Sequence, residues 1–558
     1  MPFLAHTPVE KMTGPYARRW WALLVLCLSL LIVVMANTSL IVAAPDMTRD
    51  LDLSSSDLQW VIDGYTVPYA ALMLVLGAIG DKYSRRGALV TGLLIFAGGS
   101  VMGSLVDETG LVITARAVMG VGAAVVMPAT LSLLVAIFPR EERAKAITGW
   151  TATSGLAIAV GPLVAGWLLE DHAWGSTFLI NVPIALVAVV GALALVPPSK
   201  AQGMGRIDYV GGLLSIVSVG SLVYAAIEGP HFGWGTGPIA AAVAAGVGLL
   251  AFVAWELRHP HPMLDVRKFA QRPFSGSMLA VLFFFFGTFG ALYYATQYLQ
   301  FVLGYDALET GVRLLPLAGA VFAGAAVTGR LTPKLGVKAM VVTGMLIGSA
   351  GVFLLTRIDA GSSYTDFLAS LIMLGFAIGL SVSPATDTIM GSFPESELGV
   401  GGGANDTSLE LGGALGIAIL GSLLGTAYRD KLSDLIGGHL PQAALDTAKD
   451  SVGAGLAVAE EVAKNPAGGR QQAQALVDAV HEAFAHSVAQ TSLIGGIIMA
   501  AGTLIVLAVL PGRRAAGTGR AAKTREAGAG TTDESGQPRE SEEVREPTDA
   551  QEARSGIA

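Results

Sequence analysis

The sequence predicts an all-α membrane protein with fourteen transmembrane helices, arranged as two six-helix halves with two extra helices between them. Three observations predict it. The 558 residues are 53% hydrophobic and only 14% charged, with a mean hydropathy of +0.60, whereas a soluble domain carries about 25% charged residues. The apolar residues fall in long continuous blocks, and a helix needs about 20 such residues to cross the hydrocarbon layer. One short stretch recurs at the same place in each half. Because the blocks do not alternate polar and apolar positions, they read as helices and not as barrel strands.

The blocks lie at 20–45, 57–79, 88–106, 111–138, 144–169, 177–197, 207–227, 236–256, 274–303, 312–331, 337–356, 364–390, 398–426 and 488–510. The first is too long for a signal-peptide core and has no small-residue cleavage site, so it is expected to remain as a spanning helix. It contains Cys27, the only cysteine, which excludes an intrachain disulfide. These blocks divide into an N-terminal segment 1–19, a first six-helix bundle 20–197, an extra pair 207–256 and a second bundle 274–510. Within the second bundle, 429–487 is expected to be a long outward loop of one or two amphipathic helices. The tail 512–558, rich in Gly, Ser, Thr and charge, is expected to be disordered. Its basic cluster Arg513, Arg514, Arg520, Lys523 and Arg525 would fix topology.

Orientation follows from the short loops. One set carries eighteen Lys and Arg, beginning with Lys11, Arg18, Arg19, Lys82, Arg85 and Arg86, while the opposite set holds only Arg49 and Arg357. Both termini are therefore expected in the cytoplasm, in a multi-pass protein of a bacterial inner membrane. The net charge of −8 says little about partners, since both signs are confined to loops and tail.

The repeat pairs residues 77–95 with 329–347 without gaps, matching Gly77 with Gly329, Lys82 with Lys334 and Val90-Thr91-Gly92 with Val342-Thr343-Gly344. Both copies follow the second helix of a six-helix unit. Two parallel halves with a substrate path between them are a transporter architecture.

Gly77-Ala-Ile-Gly-Asp81-Lys82-Tyr-Ser-Arg85-Arg86 resembles the signature loop of the major facilitator superfamily. Its glycines permit close helix approach, and Asp81 can pair with the following cations or with the positive N-terminal end of a helix in the other half. The plainer alternative is an ordinary positive-inside loop. Ser84 stands where the family usually has glycine. Leu111 to Gly122 is similar to the family's fourth-helix motif, whose arginine, here Arg116, is implied to take part in proton transfer. The alternative is that Arg116 snorkels to the nearby interface. Gly155 to Gly166, with Gly161-Pro162, resembles the antiporter motif of the fifth helix, which in the family goes with export. Pro162 removes a backbone donor and weakens the helix there. With fourteen spans, the combination resembles the fourteen-helix drug:proton antiporter family.

Acids inside the spans locate the expected chemistry. Asp63 lies about two turns into the second helix, while Asp406 and Glu410 lie near the middle of the thirteenth. Spaced i,i+4, those two share a face at about 6 Å, and two close carboxylates in low dielectric cannot both ionise cheaply. A proton or a cationic substrate could neutralise such a pair, but not both together. The alternative is a structural helix–helix contact involving Asn405 and Thr407. Asp387, near a helix end, is a weaker candidate. Many family members carry an aspartate just before the Asn37-Thr38 pair; Ala36 occupies that place here, so a step using that acid cannot operate.

No histidine falls within a predicted block, and His481 and His486 at i,i+5 do not form a metal motif. No nucleophile–base pair, metal site or nucleotide-binding loop appears, so the expectation is a transporter and not an enzyme, driven by an ion gradient. Its expected function is proton-coupled export of amphipathic drugs or antibiotics by alternating access. Protons are the coupling ion, no cofactor is needed, small amphipathic molecules and the bilayer are the partners, nucleic acid is not, and the chain is a monomer. The competing readings are an uptake symporter for a small nutrient or osmolyte and a non-transporting membrane sensor.

Overall fold

The computed structural model describes residues 7–12, 14–53, 55–202, 207–232, 234–436, 441–464 and 469–512. The basic cluster of the tail, from Arg513 onward, and Arg206 lie outside the described residues. All regular structure among the described residues is helical, as hydrocarbon requires of a chain that must satisfy its backbone groups internally. Among the described residues, fourteen helices are long and apolar enough to span a membrane.

The first half comprises α1 (Arg19–Asp50), α2 (Ser55–Tyr83), α3 (Arg85–Leu105), α4 (Thr109–Ile137), α5 (Arg140–Leu169), the short α6 (Ser176–Leu179) and α7 (Asn181–Leu195). The extra pair is α8 (Tyr209–Phe232) and α9 (Thr236–Glu256). The second half comprises α10 (Arg272–Gln297), α11 (Ala307–Leu335), α12 (Val337–Leu354), α13 (Tyr364–Gly391), α14 (Leu398–Ile436), the short α15 (Gln442–Asp450) and α16 (Val452–Ala463), and α17 (Gly469–Val509).

Each half has its own core. One surrounds Leu30, Phe96, Met119, Leu133 and Trp150; the other surrounds Phe284, Tyr294, Leu374, Leu420 and Met499. The extra helices pack on each other, and α8 also lies against α2 and α14, so it touches both halves. Helix α9 turns Val243, Val247 and Leu250 outward, as a lipid-facing helix should.

The repeat is visible in the backbone. The second and third helices of each half are separated by a single residue, Ser84 in the first half and Gly336 in the second, at corresponding positions of the duplicated stretch. The two breaks are built differently. Gly336 takes φ +87°, a left-handed conformation that only glycine adopts readily. Ser84 is extended, and its hydroxyl accepts from the Gly87 amide, so a side-chain cap replaces backbone freedom.

Helices α14 and α17 outlast their apolar blocks, running to Ile436 and starting at Gly469, which places His481 and His486 on α17. The added turns are amphipathic. Tyr428, Leu432 and Ile436 of α14 are buried, as are Leu476, Val480 and Phe484 of α17, while the opposite faces are polar. Hydropathy ends where that face begins; the helix does not. The Tyr428 hydroxyl donates to the Ala448 carbonyl at 3.0 Å, fastening α15 to this extension.

Candidate functional site

At one end of the molecule the first half is latched to the second. Helices α2 and α14 cross at Gly77 and Gly399, so closely that a Cβ on either would overlap the other's carbonyl. That approach brings Asp81 to the start of α14, where one carboxylate oxygen accepts from the backbone N–H groups of Gly399 and Val400. The other oxygen accepts from Arg85 Nε at 2.6 Å, and both side chains are buried. Asp81 thus meets both a following cation and the N-terminal end of a helix in the other half, where free amides and the helix dipole favour a negative charge. Arg85 extends the contact by donating to the Glu395 carbonyl and to Ser199 Oγ. Arg86 donates to the Val196 carbonyl at 3.2 Å, and Lys82 lies over the Tyr83 ring. Two turns deeper, the Thr148 and Ser383 hydroxyls share a hydrogen bond of 2.8 Å between α5 and α13. Asp387 faces Arg143 across the same seam.

Helix α5 packs against α1 and α11 through its small residues. Gly161 sits directly on Thr38, leaving no room for a Cβ. Gly311 of α11 touches Pro162 and Leu163, and Gly166 touches Leu308. The Gly-Pro segment is therefore in contact with both halves.

Between these ends lies a polar chain of side chains. Arg116 is fully buried and does not snorkel. Its Nε donates to the Val61 carbonyl at 3.0 Å, and its terminal nitrogens donate to the Ala36 carbonyl and Asn37 Oδ1, both at 3.3 Å. Asp63, itself buried, is in electrostatic reach. The guanidinium carbon lies 4.5 Å from the centre of the Tyr65 ring, a cation–π arrangement strengthened by desolvation. Tyr65 stacks at 5.5 Å on Tyr69, one helical turn further along α2. The Tyr69 hydroxyl approaches the Glu410 carboxylate of α14. Glu410 is in turn within electrostatic reach of Asp406. Asp406 Oδ1 accepts from Asn405 Nδ2 at 2.9 Å, and Asn405 Oδ1 accepts from Thr386 Oγ1 at 2.9 Å. The second Asp406 oxygen is buried without a hydrogen bond, an arrangement that is expensive unless a ligand or proton occupies it.

The structure therefore brings Arg116, Asp63, Asn405, Asp406 and Glu410 onto one path across the two halves, while Gly77, Asp81 and Arg85 form the separate latch, with Lys82 on the Tyr83 ring and Arg86 on the Val196 carbonyl beside it. Tyr65, Tyr69 and Thr386 join the path although no motif marked them. One signal was available: two tyrosines at i,i+4 in an apolar helix share a face, and each buried hydroxyl needs a partner.

Replacing Arg116 by Ala removes its bonds to Asn37 and to the Val61 and Ala36 carbonyls, and leaves Asp63 without the cation beside it. Such an uncompensated site costs about 3–5 kcal/mol, so R116A is expected to reduce both transport and thermal stability in detergent. R116K should restore stability more than transport, because an ammonium cannot reproduce the planar fork. Unfolding temperature and flux of the two variants, measured side by side, check this.

The Major Facilitator Superfamily model matches residues 26–417. The multidrug efflux pump LfrA of Mycolicibacterium smegmatis is 33% identical over 88% of this chain and 96% of its own length. The puromycin resistance protein pur8 of Streptomyces alboniger is 34% identical over 80% of this chain and 90% of its own. Among solved structures, the proton:xylose symporter XylE superposes with a TM-score of 0.58 at 13% identity, covering 89% of this chain and 96% of that one. The human organic anion transporter MFSD10 gives 0.55 at 12% identity, over 86% and 99%. At such identity the two structures speak to the fold alone. The chain belongs to the major facilitator superfamily, as a multi-pass membrane protein of its fourteen-helix drug-efflux group.

Proposed function

We propose that this protein is a proton-coupled exporter of amphipathic drugs or antibiotics, working by alternating access. The observation that carries the reading is the Asp406–Glu410 pair on α14, with Asp406 buried and Glu410 partly buried, approached from the first half by Tyr69. A carboxylate pair in low dielectric gains from taking up either a proton or a polar substrate group, and loses that gain when both compete. Substrate would enter from the Asp81 side, assigned to the cytoplasm by the loop charges. Proton entry from the far side would then neutralise the pair and release substrate outward. Arg116, held against the Asn37 side chain and the Tyr65 ring, fixes the tyrosine ladder that joins the two halves. In this reading the protein works as a monomer in a bacterial inner membrane with both termini inside, catalyses no covalent chemistry, and needs no cofactor, no nucleic acid and no ion besides protons. Relatives named for multidrug efflux and puromycin resistance favour export over uptake. With Ala36 in place of an acid, the middle of helix α1 supplies no charge to a cationic substrate, which leaves cation recognition there to α2 and α14.

Proteoliposomes with an imposed pH gradient test the reading. Puromycin and a cationic dye should each move against the proton flux, with internal acidification or alkalinisation of matching sign. Substrate movement that is indifferent to the gradient overturns it.

A further inference from the structure

A second buried acid pair lies in the extra helices, apart from the path through Asp406. Glu256, the last residue of α9, is 0% exposed. The amides of Met263 and Leu264 approach it, yet neither of its carboxyl oxygens closes a hydrogen bond. Asp208, just before α8, is also buried and accepts from the Gly211 amide and Trp255 Nε1, both at 2.8 Å. The two carboxylates flank one point in space: a Cβ on Gly211 would lie 2.6 Å from Glu256 Oε1 and 2.7 Å from Asp208 Oδ2. His259 Nδ1 stands 3.7 Å from Asp208, and its ring stacks on Trp255 at 5.4 Å. Among the described residues, the charged groups recorded against the pair are His259 and, as a third acid, Asp265 of the segment after α9. From α2 the contact is apolar, Val75 against Gly212. A fully buried carboxylate without a hydrogen bond, beside a second carboxylate, is too costly to remain bare. The cheapest occupant is a proton, which turns one oxygen into a donor aimed at the other acid.

We propose that Asp208 and Glu256 form a proton-binding site in which one proton is shared between the two carboxyl groups, with His259 and Trp255 orienting Asp208. The site is distinct from the Asp406–Glu410 pair and does not depend on its role. Its position gives it a consequence. Earlier in the chain, residues 199–201 bond the latch: the Ser199 carbonyl accepts from the Arg85 amide, and the Ala201 amide donates to the Asp81 carbonyl. The segment after α9 reaches the start of α14 through Lys268, which donates to the Ser392 carbonyl and pairs with Glu397. Loss of the shared proton would repel the two acids and push apart the segments that hold Asp81 and α14 together.

Infrared difference spectroscopy of the full chain in lipid nanodiscs, stepped from acid to alkaline buffer, tests this. E256Q is expected to remove one protonated-carboxyl C=O band, and E410Q a different one. D208N, which keeps Glu256, should shift the Glu256 band and abolish the pH response of Trp255 fluorescence, isolated by subtracting a W255F spectrum. G211A should shift the same band by forcing the acids apart. If E256Q leaves every protonated-carboxyl band in place, or if D208N and G211A leave the Glu256 band unmoved, the shared-proton site is wrong. A result in which E256Q loses its band while pH-driven flux fails in the wild type leaves this site standing and removes the proposed coupling instead.

Discussion

Glu410→Gln is expected to abolish pH-driven transport, with flux falling at least about 100-fold, which corresponds to about 2.7 kcal/mol of lost driving interaction. The reasoning is geometric. A glutamine has the shape of a glutamic acid and can still face the Tyr69 hydroxyl with its amide oxygen, so packing between α2 and α14 is retained. What it cannot do is exchange a proton for substrate. The variant should therefore bind substrate, or at least exchange it between equal compartments, while failing to concentrate it under a gradient. Asp406→Asn should weaken transport less uniformly, because Asp406 already shares one oxygen with Asn405 and only the other is open. Tyr69→Phe removes the hydroxyl beside Glu410 but not the acid, so it should slow flux by a smaller factor and leave the direction of coupling intact. Counterflow without a gradient, compared with uphill transport in the same vesicles, separates these effects. Uphill transport at the wild-type rate in E410Q would sink the coupling role of Glu410.

Much of this was legible in the chain, for physical reasons that differ between parts. Spanning helices announce themselves because hydrocarbon demands long apolar runs, and the duplicated stretch at 77–95 and 329–347 marks the helix breaks at Ser84 and Gly336 because both are fixed by local sequence. For Asp81 the sequence leaves open a choice between the following cations and a helix end in the other half, because local charge cannot say which packs closer; the structure gives it both. What stayed hidden was tertiary. Nothing about Tyr69 in sequence says that it meets Glu410, more than three hundred residues away, and nothing in the run around Arg116 says whether it turns inward or toward the interface. No sequence signal singles out Glu256; only the packing of α8, α9 and the following segment shows it buried beside Asp208. The ends of α14 and α17 were misplaced for a simpler reason, since an amphipathic helix leaves the apolar block without ceasing to be a helix.

The largest conformational effect is expected at the α2–α14 crossing. Gly77→Val places a branched side chain where the Gly399 carbonyl now sits, and backbone cannot yield as a flexible side chain would. The two helices must separate there. Separation withdraws Asp81 from the Gly399 and Val400 amides, so the substitution removes the charge latch without touching a charge. The state in which the Asp81 end is closed should become rare, and alternating access needs both states. Transport is expected to fall at least tenfold, while the Asp406–Glu410 pair and substrate binding from the Asp81 side survive. Asp81→Asn leaves the crossing intact and weakens only the hydrogen bonds to α14 and Arg85, so it should be the milder variant. The chain makes the measurement convenient, because Cys27 is its only cysteine. In a Cys27→Ser background, Ser383→Cys puts a single thiol at the buried seam where α13 meets α5. A water-soluble maleimide should label that thiol several-fold faster when Gly77→Val is added, and less so with Asp81→Asn. Equal labelling in all three backgrounds, with transport preserved, would mean that the Gly77–Gly399 contact is mere packing and that the halves close by some other set of residues.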